Sequence, residues 1–206
     1  MNESYKNLLG RVYCGIILVI WIMAPYLLLQ QFSIREIWWL QPTAFDRAIP
    51  INYAALWFYY TFCLLLTIVG LIVERPVYLR YLYVIGWTTM VAHMIFLLIP
   101  NGLARMEIHL SDAPVYYHWL ANFDAPRNAF PSLHVAISVV AGIAACASKR
   151  FNLAAKVAVG LWILGIIWST IALRQHVIID GIAGALIAAV VWMIVGRVSR
   201  REFVSK

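Results

Sequence analysis

An all-α membrane fold, polytopic and organised as a single domain over residues 1–206, is predicted by three features of the chain. Hydrophobic residues make up 64% of it and charged ones 12%, against the roughly 25% charged residues of soluble domains. Apolar stretches near the ~20 residues needed to cross a bilayer recur along the whole length. Between them the basic residues fall in short clusters, so the net charge of +7 reads as membrane topology and excludes a nucleic-acid patch.

The first segment, MNESYKNLLGRVYCGIILVIWIMAP, sets Lys6 and Arg11 ahead of an apolar run that continues through Leu29. Without a small-x-small cleavage pattern it reads as a retained first span and not as a signal peptide. Six transmembrane helices are predicted, at roughly residues 12–31, 52–73, 79–99, 132–148, 154–173 and 177–196. After the first, SIREIWWLQPTAFDRAIP combines Trp38 and Trp39 with mixed charge, the pattern of an interfacial segment. The connection from about 100 to 131 holds Pro100, Gly102, Pro114, Pro126 and Pro131, which predicts a long loop between helices 3 and 4. Cys14, Cys63 and Cys146 are isolated within apolar runs and are expected to be packing residues. No internal repeat stands out, which weighs mildly against a transporter.

Sorting the basic residues by loop gives the orientation. One side receives Lys6, Arg11, Arg75, Arg80, Lys149, Arg150, Lys156, Arg197, Arg200, Arg201 and Lys206; the other receives Arg35, Arg47, Arg105, Arg127 and Arg174. The richer side is cytoplasmic by the positive-inside rule, which places both termini there and the long loop on the opposite, extracytoplasmic or lumenal, face.

Two polar stretches interrupt this oily background. In STIALRQHVIIDGIAG, His176 and Asp180 are four apart, hence on one face of a helix. The carboxylate can accept the Nδ1 proton, fix the tautomer and leave Nε2 as nucleophile or base. Ionisable residues at membrane depth point to function, although a polar pair can also glue helices together. In NAFPSLHVAIS, Ser132 can cap a helix whose first amides, those of Leu133 and His134, offer an anion site at the positive dipole end. His134 there could protonate a leaving oxygen. A capping serine alone is common, and the second histidine is what turns the balance.

PSLH at 131–134 resembles the Pro-Ser-Gly-His signature of the type 2 phosphatidic acid phosphatase superfamily, and Ser169, His176 and Asp180 resemble its Ser-Arg-x5-His-x3-Asp signature. The resemblance implies a membrane-embedded lipid phosphatase in which His176 attacks a lipid phosphate to give a phosphohistidine. Asp180 would orient the nucleophile and His134 protonate the departing group. Four positions depart from the pattern. Leu133 replaces glycine and is expected to make the site more crowded and apolar. Thr170 replaces arginine, and Arg174, one turn on, is expected to bring its guanidinium to the same phosphate. Of the third signature, Lys-x6-Arg-Pro, only Arg105 is present, with Leu98 and Met106 at the lysine and proline positions.

The candidate set is therefore His176, His134 and Asp180 for chemistry, with Ser132, Leu133, Arg174 and Arg105 for the phosphate. No metal or cofactor is expected, since arginines, histidines and a helix terminus can supply charge and protons. His93 reads as a packing histidine, and His109 and His118, near Glu107, Asp112 and Asp124, as solvated loop groups without tight ligand spacing. Asp124, Arg127 and Asn128 suit substrate contact and helix-start support equally, and Gly181, Gly184, Ala185 and Ala188 suit close helix packing. The expected function is hydrolysis of a lipid phosphate or diphosphate, with membrane lipids as surroundings and no nucleic-acid partner. The eroded signatures also resemble the branch containing fungal inositol phosphorylceramide synthase, which makes headgroup phosphotransfer the alternative. A transporter using the same groups as an anion site is the rival from another class.

Overall fold

Polar residues one position ahead of a helix set several of the boundaries. The structure, a computed structural model, describes residues 3–104 and 113–204. In it Thr43 caps α2 (Ala44–Ala48) through a reciprocal box with Asp46, Ser132 caps α6 (Leu133–Ala147), and Asn152 caps α7 (Leu153–Ala172). Pro76 sits in the first turn of α4 (Arg75–Leu98), where its missing N–H costs nothing. The remaining helices are α1 (Glu3–Gln31), α3 (Leu56–Ile72), α5 (Val115–Phe123) and α8 (Ile178–Val204), with a 3-10 turn at Tyr53–Ala55.

Among the described residues, five helices are long and apolar enough to cross a bilayer: Asn7–Gln31, Tyr53–Ile72, Arg75–Leu98, Leu153–Ala172 and Ile178–Arg197. The chain is an integral membrane protein, nearly all helical. The fourth predicted span, 132–148, differs. α6 has 15 residues, about 22 Å of helix against a hydrocarbon core of ~30 Å. Its apolarity has another source: α6 packs against α3, α4, α7 and α8 at once, and Val140, Ala141, Ala144 and Ala145 are wholly buried. A helix walled in by helices needs the same side chains as one walled in by lipid.

α1 lies at the margin, touching α4 and α3 while exposing Tyr13, Ile16, Val19 and Ile20. Cys14 packs against the core as expected, whereas Cys63 and Cys146 are exposed on outer helix faces. Buried neighbours such as Ala145 flank them on the inner faces, so an apolar run around a cysteine does not by itself bury it.

The bundle end where α4 stops and α6 starts carries a small clasp. Two short strands, β1 (Trp38–Leu40) and β2 (Asn101–Leu103), pair in parallel. Asn101 is its pin: the Nδ2 amide donates to the Phe130 carbonyl at 2.8 Å, and its Oδ1 accepts from the Phe130 N–H at 2.8 Å. Gly102 is required there, because a Cβ would lie 2.5 Å from the Pro126 carbonyl oxygen and 2.6 Å from the Trp39 ring. The segment between helices 3 and 4 of the predicted order is thus partly structured, with β2 and α5 inside it.

Candidate active site

Two chain breaks meet at this end, the start of α6 and the connection between α7 and α8. They are joined directly: the Ser132 N–H donates to the Asp180 carbonyl at 3.0 Å. Gly184 allows the approach, since a Cβ there would come within 2.4 Å of the Ser132 carbonyl oxygen. The small residues expected to serve close packing do so at this point, with Ala188 wholly buried a turn further down.

α7 ends in a Schellman turn. Arg174 adopts the left-handed conformation at φ 59°, its N–H donates to Ile171 and the Gln175 N–H donates to Thr170, each at 3.0 Å. His176 therefore follows a helix end and precedes α8. The predicted pairing with Asp180 is made all the same, by a different route: Asp180 stands in the first turn of α8 and reaches back. Its Oδ2 accepts from His176 Nδ1 and from the Val177 N–H, both at 3.2 Å. That places the proton on Nδ1 and the lone pair on Nε2. His176 and Asp180 are buried.

His134, half-buried in the first turn of α6, faces His176 with ring centroids 5.8 Å apart and planes at 60°. Its other neighbours come from α3. The Tyr59 ring lies 4.5 Å away at 37° and Phe62 4.7 Å away at 72°. Ser132 caps its own helix, accepting from the Val135 N–H at 3.4 Å. The Leu133 side chain packs with Ala92, Phe96, Tyr26 and Leu29. The expected crowding by leucine is corrected: that side chain is used in the contact of α6 with α4 and α1.

Arg174 also needs correction. The expectation that it extends the α7 face toward a phosphate fails because α7 has already ended at Ala172. Its guanidinium instead donates to the carbonyls of Asp46 and Ile49, each at 2.6 Å. Asp46 completes this lock, its Oδ1 accepting from the Ile178 N–H at 2.9 Å and Oδ2 from the Thr43 N–H and hydroxyl at 2.8 and 2.6 Å. Burial alone would raise the Asp46 carboxyl, yet the Thr43 hydroxyl, the Ile178 and Thr43 amides and the Arg174 charge outweigh it and hold the group below its ordinary value. Ser169 and Thr170 donate their hydroxyls to the carbonyls of Ile166 and Ile167 at 2.6 and 2.8 Å.

Asp124, Arg127 and Asn128 tie the approach to α6 onto α1 and α3. Asp124 accepts from the phenols of Tyr26 and Tyr59, each at 2.8 Å, and from the Gln30 amide at 3.2 Å. Arg127 donates to the Gln30 carbonyl at 2.9 Å and Asn128 to that of Tyr26 at 3.0 Å. His93 sits beside Phe96 on α4, with ring centroids 6.2 Å apart, and His118 contacts the Ala113 carbonyl at 3.1 Å. Arg105, His109, Glu107 and Asp112 lie outside the described residues.

Sequence reasoning missed Tyr59, Phe62, Asp46 and Asn101. Only Asp46 left a readable signal, the Thr43-x-x-Asp46 capping pattern. Two aromatic residues three apart on α3 look like any other helix face.

A sequence model described as the PAP2 superfamily matches residues 25–194, which include both polar stretches. Neither the curated proteins nor the solved structures searched give a match.

Proposed function

Because the chain belongs to the PAP2 superfamily, whose members are phosphatases acting on phosphate esters, we propose that it hydrolyses a lipid phosphate or diphosphate through a phosphohistidine on His176. The observation that carries this reading is one arrangement: two imidazoles 5.8 Å apart, one of them oriented by a buried carboxylate. A single phosphate can touch both.

In the first step His176 Nε2 attacks phosphorus, the bond from phosphorus to the lipid oxygen breaks, and His134 gives that oxygen its proton. In the second, neutral His134 takes a proton from water, the oxygen attacks phosphorus, and the phosphorus–nitrogen bond breaks to release phosphate and free His176. Asp180 keeps Nδ1 protonated and offsets the positive charge that the ring acquires. The first amides of α6 face the anion at the positive end of that helix, and Arg105 is proposed to add charge there. Arg174 acts by holding the His176 segment.

The lipid's chains remain in the bilayer while its phosphate sits at the mouth. We place that mouth on the extracytoplasmic or lumenal face, with both termini cytoplasmic and α6 as a sixth, shortened crossing, on the distribution of basic residues. The test is a panel of lipid phosphates and diphosphates that follows both free phosphate and new phosphorylated lipids. His176→Ala should abolish turnover with the protein still folded, and His134→Ala and Asp180→Asn should each lower it by about 10²–10⁴-fold. Wild-type turnover in His176→Ala would sink the mechanism. Phosphate-dependent flux that survives this substitution would instead favour a transporter, and phosphorylated lipid without free phosphate would favour phosphotransfer.

A further inference from the structure

Tyr59 spans two groups that the proposed chemistry does not otherwise connect. Its hydroxyl donates to the buried Asp124 carboxylate at 2.8 Å, and its ring lies on the His134 imidazole with centroids 4.5 Å apart. Phe62, one turn along α3, closes the edge of the same imidazole at 4.7 Å. Asp124 is in turn fixed by Tyr26 and Gln30 of α1. Both groups that bear on the imidazole from α3 are aromatic, and His176 bears on it from the third side.

Resting on the phosphohistidine reading, we propose that Tyr59, held by Asp124, is a positioning residue that sets the plane of the His134 imidazole for proton delivery to the leaving oxygen. A histidine at the head of a helix can turn about its side-chain torsions. A proton donor must keep its N–H directed within hydrogen-bond reach of one oxygen. The tilted stack on Tyr59 and the edge contact with Phe62 restrict how the ring can turn. An aromatic face at this distance also accommodates an imidazolium. The phenol cannot rotate away, because its oxygen is tied to a carboxylate that already has two further donors.

The test compares two phosphates of different leaving group in single turnovers: a long-chain alkyl phosphate, whose alkoxide needs a proton to depart, and p-nitrophenyl phosphate, whose phenolate does not. Tyr59→Leu should slow alcohol release by about tenfold or more, leave nitrophenol release near wild type, and leave the half-saturating substrate concentration unchanged. Tyr59→Phe keeps the ring and removes the anchor, and Asp124→Asn weakens it by taking away the charge and one acceptor oxygen; both should show the same selectivity at smaller size. In a His134→Ala background, Tyr59→Leu should add nothing further. Equal losses on both substrates, a loss carried by half-saturation alone, or an additive effect in that background would overturn the proposal. Should Tyr59→Leu not fold, the Phe and Asn variants carry the same comparison. Wild-type turnover in His176→Ala would instead remove the phosphohistidine reading itself, whereas an inactive His176→Ala beside unaffected Tyr59 variants removes only the positioning role.

Discussion

At the scale of single residues, the side chains of the candidate site are held by others that look unremarkable in the chain. Asp46 is the clearest case, 1% exposed and bonded to the first amide of α8. Asp46→Asn would turn an amide N–H₂ or a weaker acceptor toward three donors, and should lower stability by about 1–2 kcal/mol. Turnover should fall with it, because the same contacts hold His176. The pH dependence follows from the direction of the shift. The folded carboxyl titrates below its ordinary 3.8, so its contribution is fully present above that value and is lost as pH falls through the lower folded one. Thermal midpoints of wild type and Asp46→Asn in detergent should therefore differ at pH 7 and draw together as pH falls progressively below 3.8; a gap that stays constant down to the acid limit of folding would refute the role of the charge. His176, Asp180 and His134 were legible in the sequence because intramembrane ionisable groups are costly and so stand out. Tyr59 was not, because an aromatic residue on an apolar helix is the expected background. The reach of Arg174 was misread because the helix on which it was drawn ends two residues earlier.

At the scale of elements, the site depends on how closely α8 approaches the start of α6. Gly184→Val would drive a branched side chain into the Ser132 carbonyl, where even a Cβ would lie at 2.4 Å. Backbone cannot yield as a flexible side-chain end can, so the Ser132–Asp180 bond should break and the two histidines separate. The expected outcome is loss of turnover together with a lower thermal midpoint, while Gly181→Ala, with its nearest contact at 3.7 Å, should stay close to wild type; equal effects at the two glycines would contradict this account. Small-x3-small spacing made the contact predictable in kind. Its partner was not predictable, since spacing on one helix carries no information about which backbone comes opposite. The same holds for the β1–β2 clasp: WWL and NGL are too short to announce strands, and 60 residues of helix-rich chain separate Leu40 from Asn101.

At the scale of the molecule, five helices are readable from length and hydropathy because lipid imposes both. The span at 132–148 was readable as apolar and as the shortest of the six, but not as walled in by other helices, since core burial and lipid exposure select the same residues. Orientation is the prediction that belongs here. In a chain whose three cysteines are replaced by serine, a cysteine at Lys149 should react with an impermeant maleimide only after the membrane is opened, and one at Arg47 in sealed cells; the reverse pattern would invert the assignment. The shortness of α6 then has a consequence of its own. At its far end Ser148 and the Lys149 amide both bond Glu74, immediately ahead of α4, so the two helices are level there. The missing length falls at the mouth, where Leu133 packs against Ala92 and Phe96 and not against the last residue of α4. Ser132 and His134 thus lie level with the last turns of α4 and not beyond its end. On the proposed reading a lipid headgroup would have to descend beside the end of α4, or the leaflet would have to dimple to deliver it, which would bring the work of deforming the membrane into the barrier and make bilayer thickness a control on rate.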